Sequence, residues 1–207
     1  MKKAILIPYR GTISDKSRLR SNLKEELLEK LLKQVTQNVI NKTLQVKDVS
    51  KVYILTHKPD LEFQGNYYIL KDKADELNSS ILKALDFVSE EIIAIVMADL
   101  PLLTSTDIEE IFEEHIKMNK VVLAPTEDKG TSIICFDKVI KFPGVFGKNS
   151  SIRFQEFFEK NKVGFYLKPY NETYRDIDTF KDLIKIIETN LLPPKLQSIF
   201  KECVEFE

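Results

Sequence analysis

The sequence predicts a single α/β sandwich with a largely parallel sheet, on three observations. Short apolar runs alternate with longer amphipathic ones, the pattern of strand–helix–strand units. Ile92 to Ala98 is apolar without alternation, as a central strand buried on both faces must be. The chain has 207 residues, about one domain, and shows no repeat, low-complexity stretch or linker. The expected division is a domain over residues 1–192 and a tail over 193–207, set off by Pro193-Pro194.

Taken in order, Lys3 to Ile7 reads as a strand ended by Pro8. Asn22, with Glu25 three residues on, has the pattern of a capping box for the next helix. In that helix Leu27, Leu28, Leu31, Leu32, Val35 and Val39 recur at spacings of three and four, giving one apolar face. Val52 to Thr56 and Tyr67 to Leu70 read as strands, and Asn78 to Val88 as a helix. The buried strand stops at Asp99, and Thr106 with Glu109 predicts the cap of a helix running to about Met118. Val121 to Ala124 and Ser132 to Phe136 read as strands, 150–160 as a helix and Val163 to Leu167 as a strand. Phe180 to Ile187 reads as the last regular helix. In the tail Leu196, Ile199, Phe200, Cys203 and Val204 follow helical spacing. Such a helix either packs on its own domain or makes a homodimer contact.

Composition excludes several classes. Apolar residues make up 43%, too many for a disordered chain. The net charge of −1, from 31 basic and 32 acidic residues, disfavours nonspecific nucleic-acid binding. Two cysteines without a CxxC argue against a disulfide framework or a cysteine zinc site and fit a reducing cytoplasm. No apolar run approaches the length of a membrane span, and Ala4 to Ile7 is far shorter than a signal-peptide core. His57 and His115 are the only histidines, so a histidine metal site or a Ser-His-Asp hydrolase has little material.

Ligands of open α/β sheets collect beyond the carboxyl ends of the strands. After the first strand, Tyr9 to Ser21 holds Arg10, Arg18 and Arg20, three of the chain's five arginines, with Lys16 as a fourth cation. Arginine forks suit phosphate oxygens, so this stretch is a polyphosphate cradle or a solvated basic loop. After the buried strand, Asp99 is placed to hold Mg²⁺ against substrate phosphates, or to cap the following turn. Gly130-Thr131-Ser132 and Phe146-Gly147-Lys148-Asn149-Ser150-Ser151 supply donors suited to an anion, although turns use the same residues. In Asp176-Ile177-Asp178 an extended backbone turns both carboxylates to one side, where they complete a divalent site with Asp99. Asp178 as a helix cap is the competing reading.

These segments resemble the 2-phospho-L-lactate guanylyltransferases of deazaflavin coenzyme (factor 420) biosynthesis, some of which use phosphoenolpyruvate as acceptor. The resemblance runs to about residue 190. It rests on Ile7-Pro8-Tyr9-Arg10 leading to Lys16-Ser17-Arg18-Leu19, on Asp75-Glu76-Leu77-Asn78 and on Met97 to Leu103. It continues through Ala124-Pro125 to Gly130-Thr131-Ser132, Phe146-Gly147 to Ser150, and Asp176-Ile177-Asp178-Thr179 to Asp182-Leu183. Arg10 stands where the family has lysine and Ser132 where asparagine is common. Phe154 replaces a frequent histidine and Ser151 a frequent phenylalanine, both near the expected acceptor pocket.

The resemblance implies a GT-A-like nucleotidyltransferase fold and transfer of GMP from GTP to a phosphorylated three-carbon acid. It implies Asp99, Asp176 and Asp178 as Mg²⁺ ligands, and Asp99, Asp178, Lys16 and Arg18 as the catalytic set. It places Arg10, Lys16, Arg18 and Asn78 on the nucleotide, and Thr131, Gly147 and Ser150 on the acceptor. Rival readings are a molybdopterin or cobinamide-phosphate nucleotidyltransferase, whose usual double-glycine loop is missing here, and a non-catalytic nucleotide-binding scaffold.

Overall fold

The computed structural model of the chain describes residues 1–10, 16–58 and 62–205; Gly11 to Asp15 of the basic loop lie outside them. Seven strands form one sheet: β1 (Lys3–Pro8), β2 (Val49–Thr56), β3 (Tyr68–Lys71), β4 (Ile92–Val96), β5 (Val121–Pro125), β6 (Thr131–Asp137) and β7 (Phe165–Leu167). Their spatial order is β3-β2-β1-β4-β6-β5-β7. Every pairing is parallel except those of β6 with β4 and with β5. The helices are α1 (Ser17–Arg20), α2 (Glu25–Leu44), α3 (Leu77–Leu85), α4 (Ser105–Met118), α5 (Ser150–Lys160), α6 (Phe180–Glu188) and α7 (Pro194–Glu205).

The period-two alternation of each strand divides the core. Ile5 and Ile7 of β1 and Ile92, Ala94 and Val96 of β4 face α2 and α4, where Val39, Ile40, Ile108, Ile111 and Phe112 meet them. Ala4, Leu6, Ile93 and Ile95 face the opposite layer, which α3 and α5 build with Ile81, Ala84, Phe154 and Phe158. All five residues of β4 are fully buried, as its unbroken apolar run predicts. The result is the expected three-layer sandwich.

Pro8 does not end β1 but closes it. The Tyr9 N–H donates to the Leu55 carbonyl at 2.8 Å, so the donor that Pro8 lacks would point toward β4, whose pairing has already ended at Leu6–Ile95. Two predicted caps move. Helix α4 starts from Thr104, whose hydroxyl accepts from the Asp107 N–H while the Asp107 carboxylate accepts from the Thr104 N–H. The Thr104–Asp107 box outcompetes Thr106–Glu109 because the Leu100–Leu103 turn delivers Thr104 already extended. Helix α2 begins at Glu25 after an extended Lys24, and the Asn22 side chain accepts from the Ser21 hydroxyl instead.

The tail's apolar face is spent within the chain. Leu196, Ile199, Phe200 and Cys203 are buried with Leu28, Leu31 and Val35 of α2 and Leu183 and Ile186 of α6. Of the two readings of the tail, packing on its own domain is the one this face follows. No helix among the described residues is long and apolar enough to cross a membrane.

Candidate active site

The carboxyl end of β4 opens on a cavity of about 580 Å³, within the range that holds small ligands. Strand β6 is the one reversal in the sheet, and it brings its amino end, Thr131 and Ser132, to this same edge. One wall carries Lys16, Ser17, Arg18, Asp99, Asp176 and Asp178. The other carries Thr126, Asp128, Gly130, Thr131, Gly147, Lys148, Asn149 and Ser150.

Asp99 follows the buried strand and is fixed from behind. Thr36 of α2 donates to the Ala98 carbonyl at 3.3 Å, and Asn38 donates to that of Pro101 at 3.2 Å. The Ile177 N–H donates to the Asp99 carbonyl at 3.2 Å, bringing the second carboxylate segment alongside. Ile177 is fully buried between Asp176 and Asp178, so the extended backbone turns both acids toward Asp99. Asp178 is not the cap of α6: Thr179 takes that place in a box with Asp182, which leaves the Asp178 carboxylate to the cavity. One oxygen from each of Asp99, Asp176 and Asp178 lies within 4.8 Å of the others.

Lys16 bridges Asp99 and Asp178 through its ammonium group. Burial alone would lower its pKa, but the two hydrogen-bonded carboxylates override that and hold it above the ordinary lysine value. Among the described residues no cation is bonded to Asp176, and Lys16 offsets its surroundings only in part. Burial first, then the charges of Asp99 and Asp178, push it up to about 8. Between the ordinary aspartate range and pH 8 the unfolded chain has therefore lost a proton that the folded chain retains. Asp176 then lowers stability as pH rises through this window, and the full cost persists above it. In EDTA, Asp176→Asn is expected to raise Tm at pH 8.5 by at least about 3 °C and to leave it unchanged at pH 3.5. Melting curves at both pH values check this; equal shifts at the two would remove the electrostatic cause.

The second wall carries hydroxyls, Lys148 and the Asp128 carboxylate. Ser150 opens α5, and its hydroxyl donates to that of Thr131 at 2.9 Å. The preceding position is Asn149 in a left-handed conformation without a side-chain cap, and the first-turn N–H groups are spent on backbone carbonyls: Ser150 on Gly147, Ser151 on Lys129, Ile152 and Arg153 on Asn149. Gly147 has φ +120°, which L side chains rarely adopt, and a Cβ there would come within 3.2 Å of the Arg153 guanidinium. The Ser151 hydroxyl donates to the Lys129 carbonyl at 2.8 Å, tying α5 to the β5–β6 loop.

Of the residues read from sequence, Lys16, Arg18, Asp99, Thr131, Gly147, Ser150, Asp176 and Asp178 come together here. Arg10 and Asn78 do not line the cavity. The Arg10 guanidinium donates to the Asp75 carbonyl and lies 3.4 Å from His57 Nε2. Asn78 clamps Phe146 with both amide atoms, accepting from its N–H at 2.7 Å and donating to its carbonyl at 3.1 Å. Arg20 lies 3.7 Å from exposed Glu25. Phe154 is fully buried against Phe142 and Phe146, so this departure from the family pattern fills core rather than pocket. Sequence reasoning missed Thr126 and Asp128, whose local signal was the charged run before Gly130; Lys148 entered it only as part of the Phe146–Ser151 run.

Set against known proteins, residues 3–189 match the family model described as guanylyl transferase CofC like. A 2-phospho-L-lactate guanylyltransferase from Methanocaldococcus sp. (strain FS406-22) is 30% identical over 192 residues, covering 88% of this chain and 80% of that protein. A phosphoenolpyruvate guanylyltransferase from Thermobaculum terrenum is 26% identical over 192 residues, covering 90% and 83%. Among solved structures, a Desulfovibrio desulfuricans protein assigned as a nucleotide-diphospho-sugar transferase superposes with a TM-score of 0.80 at 16% identity, over 98% of this chain and 95% of that one. The likeness bears out the GT-A-like fold.

Proposed function

Because this chain belongs to the CofC-like guanylyl transferase family, we propose that it transfers GMP from GTP to a phosphorylated three-carbon acid in deazaflavin coenzyme biosynthesis. The acceptor is 2-phospho-L-lactate or phosphoenolpyruvate. A phosphate oxygen of the acceptor bonds to the α-phosphorus, the bond to the β-phosphate oxygen breaks, and pyrophosphate leaves. The observation that carries this reading is the two-walled cavity: a carboxylate trio with cations on one side, the hydroxyls of Thr131 and Ser150 with Lys148 on the other.

The chemistry asks little of general bases. A phosphate monoester has a second pKa of about 6, so the acceptor is already a nucleophilic dianion at neutral pH. The site's task is to hold anions in line and to balance charge on the leaving group. Arg18 and Lys16 serve the triphosphate. Thr131, Gly147 and Ser150 serve the acceptor. Asn78 works at one remove, by fixing Phe146 and the loop that leads to Gly147.

The residues fit a divalent metal. Asp99 Oδ1 is buried without a hydrogen-bond partner, and the donor set is three carboxylates, the hard oxygens that Mg²⁺ takes. Asp99, Asp176 and Asp178 would hold it. Bound there, Mg²⁺ supplies positive charge to the phosphate oxygens and the departing pyrophosphate. Lys16, held by one oxygen each of Asp99 and Asp178, would share these carboxylates with the metal and stand beside the triphosphate.

Pyrophosphate release tests the reading, with GTP, ATP, CTP and UTP each paired with 2-phospholactate, phosphoenolpyruvate and 3-phosphoglycerate. Release is expected with GTP and one of the first two. Tight GTP binding without release from any pair would favour the scaffold. Ser150→Ala is expected to lower kcat/KM for the acceptor about 10- to 150-fold, the loss of one hydrogen bond to a charged group. GTP affinity measured without acceptor should stay within about twofold. Equal losses in both would remove Ser150 from the acceptor wall.

A further inference from the structure

The two walls of the cavity come from separate parts of the chain, and one buried side chain spans them. Arg175 sits immediately before Asp176 and is 5% exposed. Its Nε and Nη2 donate to the two oxygens of Glu172 at 2.8 and 3.0 Å, a bidentate pair. Its Nη1 donates to Glu127, 48 positions away, in the β5–β6 loop. Glu127 stands between Thr126 and Asp128, both of which line the cavity. Lys185 of α6 donates to the same Glu127 oxygen at 2.7 Å, and the Tyr170 ring lies under the guanidinium at 5.7 Å.

The Arg175–Asp178 segment is extended and belongs to no strand. Its position rests on the Arg175 fork at one end, on buried Ile177 and its N–H to Asp99 in the middle, and on the Lys16–Asp178 pair and the Thr179–Asp182 box at the other end. The middle and far ties relate the segment to Asp99 and to α6. The Arg175 fork relates it to the opposite wall.

We propose that Arg175 is a positioning residue that locks the Asp176 and Asp178 carboxylates to the Thr126–Gly130 loop, and so sets the spacing between the metal ligands and the acceptor wall. Its charge is matched by Glu172 and Glu127, so it acts through placement and not on the reacting atoms. A planar fork with three bonded nitrogens is needed; a lysine ammonium cannot hold Glu172 bidentately and also reach Glu127. The substrate half of this inference rests on the transferase reading above, and the metal half does not.

The test is Mn²⁺ binding to the full chain without substrates, followed by electron paramagnetic resonance, together with KM values for acceptor and GTP at saturating metal. Arg175→Met is expected to weaken Mn²⁺ binding about 10-fold, the low end for residues that orient metal ligands. Acceptor KM should rise by a similar factor, while GTP KM stays within about twofold. Arg175→Lys should restore Tm but not Mn²⁺ affinity. Glu127→Gln removes a half-exposed partner and should shift the same two quantities by smaller factors. Mn²⁺ affinity within twofold of wild type in folded Arg175→Met overturns the proposal; if that variant does not fold, the same result in Glu127→Gln does so. A wild type that binds Mn²⁺ but releases no pyrophosphate sinks the transferase reading and leaves Arg175 to the Mn²⁺ titration. Normal turnover in wild type with unaltered Mn²⁺ affinity in the variants does the reverse.

Discussion

Asp99→Asn is expected to cut turnover by at least about a hundredfold, the scale of losing a principal electrostatic group in a transfer site. The substitution is nearly isosteric, and the Asp99 backbone ties do not depend on the side chain: its carbonyl still accepts from Ile177. Tm should therefore fall by no more than a few degrees. One carboxylate would be missing from a trio whose oxygens lie within 4.8 Å of one another, so half-saturation by Mg²⁺ should rise together with the loss of kcat. Steady-state rates across a Mg²⁺ series, beside a melting curve, make the check. Turnover within a few fold of wild type would take Asp99 out of the site.

Lys16→Met should produce two opposite effects. Turnover falls about a hundredfold or more, because a cation serving the triphosphate is lost. Metal affinity rises, because the internal counter-ion of Asp99 and Asp178 no longer competes for their oxygens. Calorimetry without nucleotide should find Mn²⁺ bound roughly tenfold tighter than by wild type, a gain of about 1.4 kcal/mol. In EDTA the variant should melt lower than wild type, since a largely buried ion pair has lost one partner. Mn²⁺ should restore the difference. Unchanged Mn²⁺ affinity would mean that lysine and metal do not share these carboxylates.

How much of the site was legible depended on where each residue sits in its element. Asp99 could be found because it ends the most apolar run in the chain, and such ends point to the ligand edge of a parallel sheet. Asp176 and Asp178 could be paired because an extended backbone sends alternate side chains to one side. Thr131 and Ser150 open a strand and a helix, a weak signal alone, and with Gly147 they were assigned to the acceptor only through the family pattern. Arg10 shows the limit: its position after β1 was right, yet its guanidinium turned to the Asp75 carbonyl. Asn78 behaves alike, since an amide offers the same donor and acceptor to a backbone as to a nucleotide. Arg175 carries no signal in the sequence, because its partners Glu172 and Glu127 are recognisable only once folded.

What the sequence determined by itself was periodicity, and through it the elements, the two buried faces of the sheet and the family pattern carried by the loops. These are local properties: a repeat of 2 or 3.6 residues decides which side chains share a face, whatever lies opposite. The tertiary structure alone decided which charged groups meet. Lys16 reaches Asp99 across 83 positions and Asp178 across 162. The reversal of β6 put Thr131 on the same edge as Asp99, and the burial of Leu196 and Phe200 against α2 turned the tail inward. A side chain at the end of an element has no periodic partner to fix its direction. It turns to the nearest group that compensates its burial, and that group belongs to another part of the chain.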